Sequence, residues 1–260
     1  MRPLVIKFGG TSLATPARML RCARRVAAHA RRGRPVAVVV SATGHSTDRI
    51  LAWAGAFGPA DRAEGRRREV DRAAATGEAL SAALFATALW TLGVPAASLG
   101  GGEAGVVAEG PFGGARIRDV RTARLRALVA DGIVPVVAGF QGMRHDGETV
   151  TLGRGGSDTS AVALAAALGA ECHIVTDVDG VYPRDPRLCP GETAFECLDH
   201  AALVSLAEGG AQVVHCTAAR LAEERDVPLW IYSFRAPLRA PRGTRVESGA
   251  SLGGALAQAS

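Results

Sequence analysis

Apolar runs alternate with alanine-, leucine- and arginine-rich stretches along almost the whole chain. Strands covered on both faces are predicted for the continuous apolar runs at 3–8, 35–40, 94–98, 133–138, 172–176 and 228–232. Helices are predicted for the stretches near 67–92 (broken around Thr76-Gly77), 119–131, 158–168, 199–208 and 215–225. Thr15 before Pro16 predicts the start of one more helix, which ends at Gly33. The alternation predicts an α/β fold with a mostly parallel sheet between layers of helices.

The composition is ordinary for a soluble globular protein, since 48% of the 260 residues are hydrophobic and 21% are charged. This length suffices for one large core or two modest ones. The N-terminal apolar stretch is too short for a signal peptide, and no run approaches about 18 uninterrupted apolar residues, so we expect no membrane contact. The five cysteines form no CxxC pair. That usage is typical of a reducing compartment and predicts a cytoplasmic protein.

The net charge of +5 raises the question of nucleic-acid binding. The arginines are spread over the chain without an aromatic-basic run, so we predict no nucleic-acid partner. An anionic small-molecule substrate accounts for the positive excess at least as well. Lys7 is the only lysine in the sequence. Because lysine is a compact point charge and arginine a wide planar fork, Lys7 indicates a site that the fork does not fit.

The first glycine-rich motif, KFGGTS (7–12), lies between a predicted buried strand and a predicted helix. Its two glycines let the backbone approach a ligand closely, and successive N–H groups there form an anion-binding nest that Lys7 reaches. The lysine precedes the glycines, so the motif is neither a Walker motif nor GxGxxG. Taken alone, it is also compatible with a structural turn.

The second motif, TLGRGGSDTS (151–160), runs into the apolar helix AVALAAALGA. Three glycines around Arg154 and a Ser-Asp pair at the helix start predict an anion site at a helix N-terminus. Ser157 or Asp158 as a simple N-cap is the structural alternative. Capping needs one such residue, however, and does not need an arginine between glycines.

The third motif, TDVDGVYPRDPR (176–187), follows a predicted strand. Two prolines and a glycine predict a rigid loop at the carboxyl edge of the sheet, where α/β proteins bind ligands. A surface loop with weak Asp-Arg pairs is the alternative.

Together with SATGHSTD (41–48), Gly77-Glu78 and GFQG (139–142), the three motifs closely resemble the amino acid kinase family and, within it, aspartate kinases. The resemblance extends from about residue 4 to about residue 235. It implies a three-layer αβα sandwich that binds aspartate on one side and ATP on the other. The implied reaction is the ATP-dependent phosphorylation of the side-chain carboxylate of L-aspartate to 4-phospho-L-aspartate. This is the first step towards lysine, threonine and methionine.

The resemblance also assigns roles by position. The expected nucleotide site consists of Lys7, Gly9, Gly10, Ser157, Thr176, Asp177, Tyr182, Asp185 and Arg187. The expected amino-acid pocket consists of Ser41, Thr47, Asp48, Glu78, Arg154, Gly155 and Gly156. Lys7 and Asp158 are the expected catalytic residues, with Asp158 organising Lys7. We expect Mg²⁺ to accompany ATP as co-substrate, no resident metal site, and a homodimer by family analogy.

Three features depart from the family pattern. Family members usually carry a lysine where this chain has Gln212, and a commonly acidic or small residue where it has His45. Typical aspartate kinases continue into a pair of regulatory ACT domains after about residue 245, whereas this sequence ends at Ser260. We therefore expect a single catalytic domain over 1–260 without an ACT domain. Its amino-acid-binding half covers about 1–150 and its nucleotide-binding half about 151–240.

Two alternative functions stay open from the sequence. A kinase of the same fold acting on another carboxylate in a specialised pathway is favoured by His45, Gln212 and the missing regulatory part. A non-catalytic nucleotide-binding subunit is the second alternative. The presence of Lys7, Arg154 and Asp158 argues against it.

Overall fold

The computed structural model of the protein describes residues 1–58, 63–184, 189, 191–210, 213–238 and 241–249. The strands in these ranges are β1 (Leu4–Phe8), β2 (Val36–Val40), β3 (Ala96–Leu99), β4 (Val106–Glu109), β5 (Arg116–Val120), β6 (Val134–Ala138), β7 (Gln141–Met143), β8 (Thr149–Thr151), β9 (Glu171–Thr176), β10 (Cys197–Asp199), β11 (Leu229–Ser233) and β12 (Thr244–Glu247). The α-helices are α1 (Pro16–Ala30), α2 (Ser46–Ala56), α3 (Glu64–Thr91), α4 (Ala123–Ala130), α5 (Gly156–Leu168), α6 (His200–Glu208) and α7 (Cys216–Glu224). A short 3₁₀ turn covers Gly10–Leu13.

The strands form two sheets. The central sheet has eight strands in the order β10-β12-β11-β9-β1-β2-β6-β3. Its neighbours are parallel except for the antiparallel pair β11 and β12. A smaller sheet with the order β5-β4-β7-β8 lies beside it. The central sheet takes strands from both predicted halves of the chain, with β1 and β9 paired at its middle.

Two apolar clusters cover the faces of the central sheet and define three layers. On one face, Leu4, Ile6 and Phe8 of β1 pack with buried residues of α1 and α3. On the other, Val5 of β1 packs with buried residues of α4, α5, α6 and α7. Successive residues of a strand point to opposite faces, and both faces are buried, which explains why β1 and β2 read as continuous apolar runs. The predicted three-layer αβα sandwich with a mostly parallel sheet is confirmed.

Some predicted boundaries are wrong. The helix predicted for 67–92 is not broken at Thr76-Gly77, since α3 runs without interruption from Glu64 to Thr91. Gly77 serves packing instead, because a Cβ there would lie 2.9 Å from Cβ of Ala42. The helix predicted from 119 begins at Ala123, because residues 116–120 pair with β4 as β5.

Helix α3 is the one helix in the described ranges with the length and hydropathy to cross a membrane. It has 28 residues, and its most apolar window of 18 residues has a mean hydropathy of 1.2. Half of that window is buried inside the protein, and Phe85 and Leu89 are wholly buried in the α1-side cluster. A core helix of a folded domain has these properties, so the helix is weak evidence for a membrane span.

Candidate active site

Lys7 lies near the carboxyl end of β1, at the middle of the central sheet. Its Nζ atom is 2.6 Å from Oδ1 of Asp158, and the two side chains are only 11% and 13% exposed. Asp158 is in the first turn of α5. The ion pair holds the Lys7 ammonium at the edge of the sheet, as expected if Asp158 organises Lys7.

The glycine turn after β1 packs directly on the loop after β2. A Cβ at Gly10 would lie 2.6 Å from the carbonyl oxygen of Ala42 and 2.8 Å from that of Gly44. The N–H of Gly44 donates to the Gly10 carbonyl oxygen at 3.0 Å. The N–H of Gly9 donates to the carbonyl oxygen of Val175 at 3.2 Å. The close approach of the two backbones therefore requires glycine at position 10. Together, the contacts of Gly9 and Gly10 join the end of β1 to β9 and to the loop after β2.

Gly155 is the N-cap of α5, with a left-handed φ of 70°. A Cβ at this position would lie 2.1 Å from Cγ of His215. Only glycine suits both the φ angle and the contact. The turn brings the N-terminus of α5 to the cleft, where helix N–H groups favour anions.

A cleft of about 710 Å³ opens at this edge of the sheet. All seven predicted amino-acid-pocket residues line it: Ser41, Thr47, Asp48, Glu78, Arg154, Gly155 and Gly156. Four residues of the predicted catalytic and nucleotide sets also line it: Lys7, Gly10, Ser157 and Asp158. The structure brings these residues together, and their individual roles stay predictions.

Glu78 is buried in the wall of this cleft, with only 3% of the residue exposed. Its Oε1 accepts a hydrogen bond from the Ala42 N–H at 3.1 Å. Its Oε2 is buried and has no hydrogen-bond partner among the described residues. Burial raises the pKa of Glu78 to about 7, against the opposing effect of hydrogen bonds that include those from Ala42 and Thr47. The carboxyl is thus poised to accept a cationic group.

Arg154 follows β8 and is exposed at the rim of the cleft. It forms no ion pair with any carboxylate in the described ranges. His45 and Asp48 lie on the same rim, with Nδ1 and Oδ2 3.2 Å apart and side chains 90% and 77% exposed. The rim therefore offers one guanidinium that is not already neutralised within the described chain.

Four other predicted nucleotide residues are not among those that line this cleft: Gly9, Thr176, Asp177 and Tyr182. Thr176 ends β9, and its hydroxyl donates to Oδ1 of Asp177 at 3.2 Å. Tyr182 is half-buried, and its pKa is raised by burial and by the charge of Asp179. The predicted residues Asp185 and Arg187, and the departure at Gln212, lie outside the described residues.

Arginines of α1 hold the segment after β11 next to Thr176. The carbonyl oxygen of Thr176 accepts from the Phe234 N–H at 2.8 Å. Arg21 donates to the carbonyl oxygen of Arg235 at 2.6 Å. Arg25 donates to the carbonyl oxygens of residues 236 and 237 at 2.7 and 3.2 Å. Sequence reasoning missed these contacts, since arginines on an alanine-rich helix give no signal beyond a solvated face.

Asp71 and Thr151 also line the cleft, and sequence reasoning gave neither a role there. Asp71 is 3% exposed and hydrogen-bonds to Thr151. One signal was available: Asp71 precedes Glu78 by seven residues, which places both on one face of a helix.

The fold and the cleft define a three-layer α/β protein that presents cationic side chains and a helix N-terminus at the carboxyl edge of a parallel sheet, as ligand sites in this class do. A sequence profile described as the amino acid kinase family matches residues 2–233. The chain belongs to the amino acid kinase family.

Individual relatives in this family are aspartokinases. The chain is 42% identical over 234 residues to the aspartokinase of Thermus thermophilus, a match that covers 90% of this chain and 57% of that protein. The crystal structure of aspartate kinase from Synechocystis is similar, with a TM-score of 0.80, 39% identity, and coverage of 95% of this chain and 40% of that one. E. coli aspartokinase III in complex with aspartate and ADP has a TM-score of 0.82 at 29% identity, over 95% of this chain and 64% of that one. The chain therefore spans somewhat more than half the length of the Thermus relative.

Proposed function

We propose that this chain is an ATP-dependent kinase that phosphorylates the side-chain carboxylate of L-aspartate, giving 4-phospho-L-aspartate and ADP. The relatives named aspartokinase support the proposal. The observation that carries it is the charge arrangement of the cleft. Aspartate has one ammonium and two carboxylates. The cleft offers the unpartnered Oε2 of Glu78 to the ammonium, and Arg154 and Lys7 to the carboxylates.

The chemistry needs positioning more than it needs a base. A side-chain carboxylate has a pKa of about 3.9, so it is ionised at neutral pH and attacks without prior deprotonation. Its oxygen forms a bond to the γ-phosphorus, the bond from that phosphorus to the bridging oxygen breaks, and ADP leaves with the electron pair. The obstacle is the repulsion between a carboxylate and a triphosphate. Catalysis therefore depends on cations held in place before the reaction.

Lys7 is the proposed cation for the transferring phosphoryl group. The Asp158 carboxylate fixes its ammonium at 2.6 Å, so the charge costs little reorganisation when negative charge develops. Arg154 binds a substrate carboxylate through its two-pronged guanidinium. Glu78 binds the α-ammonium, and Ser41 and Thr47 hydrogen-bond the carboxylate oxygens.

Mg²⁺ is proposed as the companion of ATP. No group of three or more metal-ligating side chains occurs in the described ranges. We therefore propose that phosphate oxygens and water would supply most of the Mg²⁺ ligands, and that Asp158, which lines the cleft beside Lys7, is the candidate carboxylate. When bound, Mg²⁺ neutralises phosphate charge. Lys7 and the first turn of α5 would bind the phosphates beside the cleft that receives aspartate.

The setting of the reaction belongs to the same proposal. The product would enter the biosynthesis of lysine, threonine and methionine, in the cytoplasm. The proposed compartment rests on the cysteine usage of the sequence alone, which has no CxxC pair and is typical of a reducing environment. The proposed homodimer rests on family analogy alone, and light scattering of the purified chain tests it.

Hydroxylamine trapping tests the activity directly. The purified chain is incubated with ATP, Mg²⁺ and hydroxylamine, together with aspartate, glutamate or N-acetylglutamate, and the hydroxamate is measured. We expect aspartyl hydroxamate at clearly higher efficiency than the other products, and none from a Lys7→Ala control. Faster turnover of another acid would leave a kinase but refute aspartate as its substrate. Absence of any acyl phosphate would refute the kinase.

A further inference from the structure

Asp71 is a buried carboxylate on α3 that accepts three hydrogen bonds, two from the end of β8 and one from the turn at Gly113. Its Oδ2 accepts from the N–H of Thr151 at 2.7 Å and from the N–H of Gly113 at 3.0 Å. Its Oδ1 accepts from the Thr151 hydroxyl at 3.1 Å. No Lys or Arg pairs with it in the described part of the chain. Burying a carboxylate without a cation is costly, so its hydrogen bonds must stabilise it.

These bonds fix the segment that leads to Arg154. Thr151 is the last residue of β8, and Arg154 follows three residues later. The Thr151 carbonyl oxygen accepts from the Ala115 N–H at 2.9 Å, so Asp71 and this bond join the 113–115 turn to the strand end. On the other side, the Leu152 N–H donates to the Phe140 carbonyl oxygen at 2.8 Å. The segment is therefore held from both sides just before the arginine.

The same helix carries Glu78. Seven residues separate Asp71 from Glu78, which is about two helical turns, or roughly 10 Å along the axis. Both side chains line the cleft. Any shift of β8 relative to α3 changes the distance between Glu78 and Arg154, the two groups proposed to bind the ammonium and a carboxylate. Asp71 forms direct hydrogen bonds between those two elements. Neighbouring bonds join α3 to Glu148 before β8 and to Gln141 of β7, but neither reaches the end of β8 from which Arg154 follows.

The pattern of contacts separates Asp71 from Glu78 in function. Both oxygens of Asp71 are occupied by protein donors. In Glu78, by contrast, Oε2 has no partner among the described residues. The hydrogen bonds of Asp71 therefore fix neighbouring protein segments, whereas Oε2 of Glu78 is available to bind a ligand.

We infer that Asp71 is a positioning residue, which fixes Arg154 relative to Glu78 and thereby matches the cleft to an amino dicarboxylic acid of one particular length. The inference rests on the proposed function. Aspartate and glutamate differ by one methylene, so a fixed separation between the two binding groups favours one of them. When the link is lost, the cleft loses affinity for aspartate and discriminates less against glutamate.

Two substitutions of Asp71 distinguish the effect of its hydrogen bonds from the effect of its negative charge. In Asp71→Asn the amide oxygen replaces Oδ2 as acceptor for both backbone N–H groups, and the amide NH₂ donates to the Thr151 hydroxyl. We expect its KM for aspartate to stay within about threefold of the wild type. Asp71→Ala removes all three bonds, and we expect a KM for aspartate at least tenfold higher with the KM for ATP little changed. Its preference for aspartate over glutamate should fall by a similar factor.

Glu69→Ala is the matched control, since Glu69 lies on the same helix, is 64% exposed, and pairs with its neighbour Arg68. It should behave as the wild type. Circular dichroism and thermal unfolding accompany each variant. If Asp71→Ala does not fold, Thr151→Val takes its place. It removes the hydroxyl donor, keeps the backbone N–H, and should raise the aspartate KM by clearly more than the roughly threefold tolerance set for Asp71→Asn.

Each other outcome has a defined meaning. An Asp71→Asn variant as impaired as Asp71→Ala overturns the inference, because the charge would then act on substrate or cation directly. Equal increases in both KM values, or an unchanged preference between the two acids, also overturn it in favour of a general structural role. A wild type that does not turn over aspartate refutes the proposed function, and the Asp71 variants are then compared on the acid that it does turn over.

Discussion

Replacing Glu78 by glutamine should stabilise the protein at alkaline pH while impairing its use of aspartate. The change keeps the size of the side chain and an acceptor for the Ala42 N–H, which lies 3.1 Å from Oε1. It removes a negative charge that is almost completely buried, since only 3% of Glu78 is exposed. The same charge is the proposed partner of the substrate ammonium. Stability and substrate affinity should therefore move in opposite directions.

The pKa of Glu78 sets the size and the sign of the stability effect. Burial raises this pKa from 4.5 to about 7 in the folded protein. Between those two values the folded state holds a proton that the unfolded state releases, so the free energy of unfolding falls as pH rises. At about 1.4 kcal/mol per pKa unit, the wild type loses up to about 3 kcal/mol across this window and nothing more above it. Glutamine does not titrate, so the variant lacks this loss.

Urea unfolding of both proteins near pH 5 and near pH 8, followed by circular dichroism, measures the difference. We expect the stability of the variant relative to the wild type to increase by about 2.5 kcal/mol between these two values. In thermal unfolding, a gain of that size corresponds to roughly 5–10 °C for a domain of this length. The KM for aspartate should rise at least tenfold, because a hydrogen bond to a charged group contributes about 1.5–3 kcal/mol.

Two results would refute this reasoning. If the difference in unfolding free energy between the wild type and Glu78→Gln does not change with pH, the pKa of Glu78 has its ordinary value and burial does not raise it. An unchanged KM for aspartate would show that the carboxylate does not bind the ammonium. Gln141→Ala is not a suitable control, since Gln141 is itself buried against α3. Glu103→Gln is suitable, since the side chain of Glu103 is 59% exposed.

Three further substitutions test other parts of the site. Lys7→Arg should lower kcat about 10²–10³-fold with the fold intact, because a wide planar guanidinium replaces a compact ammonium. Activity within about threefold of the wild type would contradict this. Gly155→Ala should lower the free energy of unfolding by at least about 1–3 kcal/mol, because φ is 70° and the new Cβ meets His215; a thermal unfolding temperature equal to the wild type would contradict it. Arg25→Met should raise the KM for ATP and leave the KM for aspartate unchanged, because Arg25 holds the segment after β11. The control Arg24→Met, at an exposed neighbouring position, should change neither KM. Equal effects of the two substitutions would refute the reasoning.

The inner strands of the central sheet were predictable because they are buried on both faces, whereas the short and partly exposed strands β10 and β12 were missed. All five residues of β2 are buried, and β1 is nearly as well covered, so both appear as apolar runs whatever surrounds them. The start of α1 was also predictable. The Thr15 hydroxyl accepts from the Arg18 N–H at 3.3 Å, and Pro16 occupies the first helical position.

The smaller sheet and α2 were not predictable from apolar periodicity. None of the five residues of β5 is buried, and no residue of α2 is buried. Neither β5 nor α2 therefore has a buried face, so their apolar residues do not recur with the period of 2 or 3.6 that identifies a strand or a helix. Strands of three residues, such as β7 and β8, are too short for any period to be recognised.

The residues of the candidate site divide in a similar way. Motifs within one loop, such as those around Lys7 and Arg154, could be recognised because the interacting residues are close in sequence. The spacing of Asp71 from Glu78 could have placed it on the same helix face, but its hydrogen bonds could not be predicted, because its partners Gly113 and Thr151 lie 42 and 80 residues away. The unpartnered oxygen of Glu78 is likewise a property of the folded cleft, since Ala42 lies 36 residues before it.

The most direct test of the account is a crystal structure of this chain with L-aspartate, Mg²⁺ and a non-hydrolysable ATP analogue. We predict that the aspartate ammonium lies within about 3.2 Å of Oε2 of Glu78. One carboxylate should contact Arg154, and the side-chain carboxylate should face the γ-phosphorus at about 3–3.5 Å, with Lys7 beside it. Aspartate bound in the reverse orientation, or a nucleotide whose phosphates lie away from Lys7, would contradict the account.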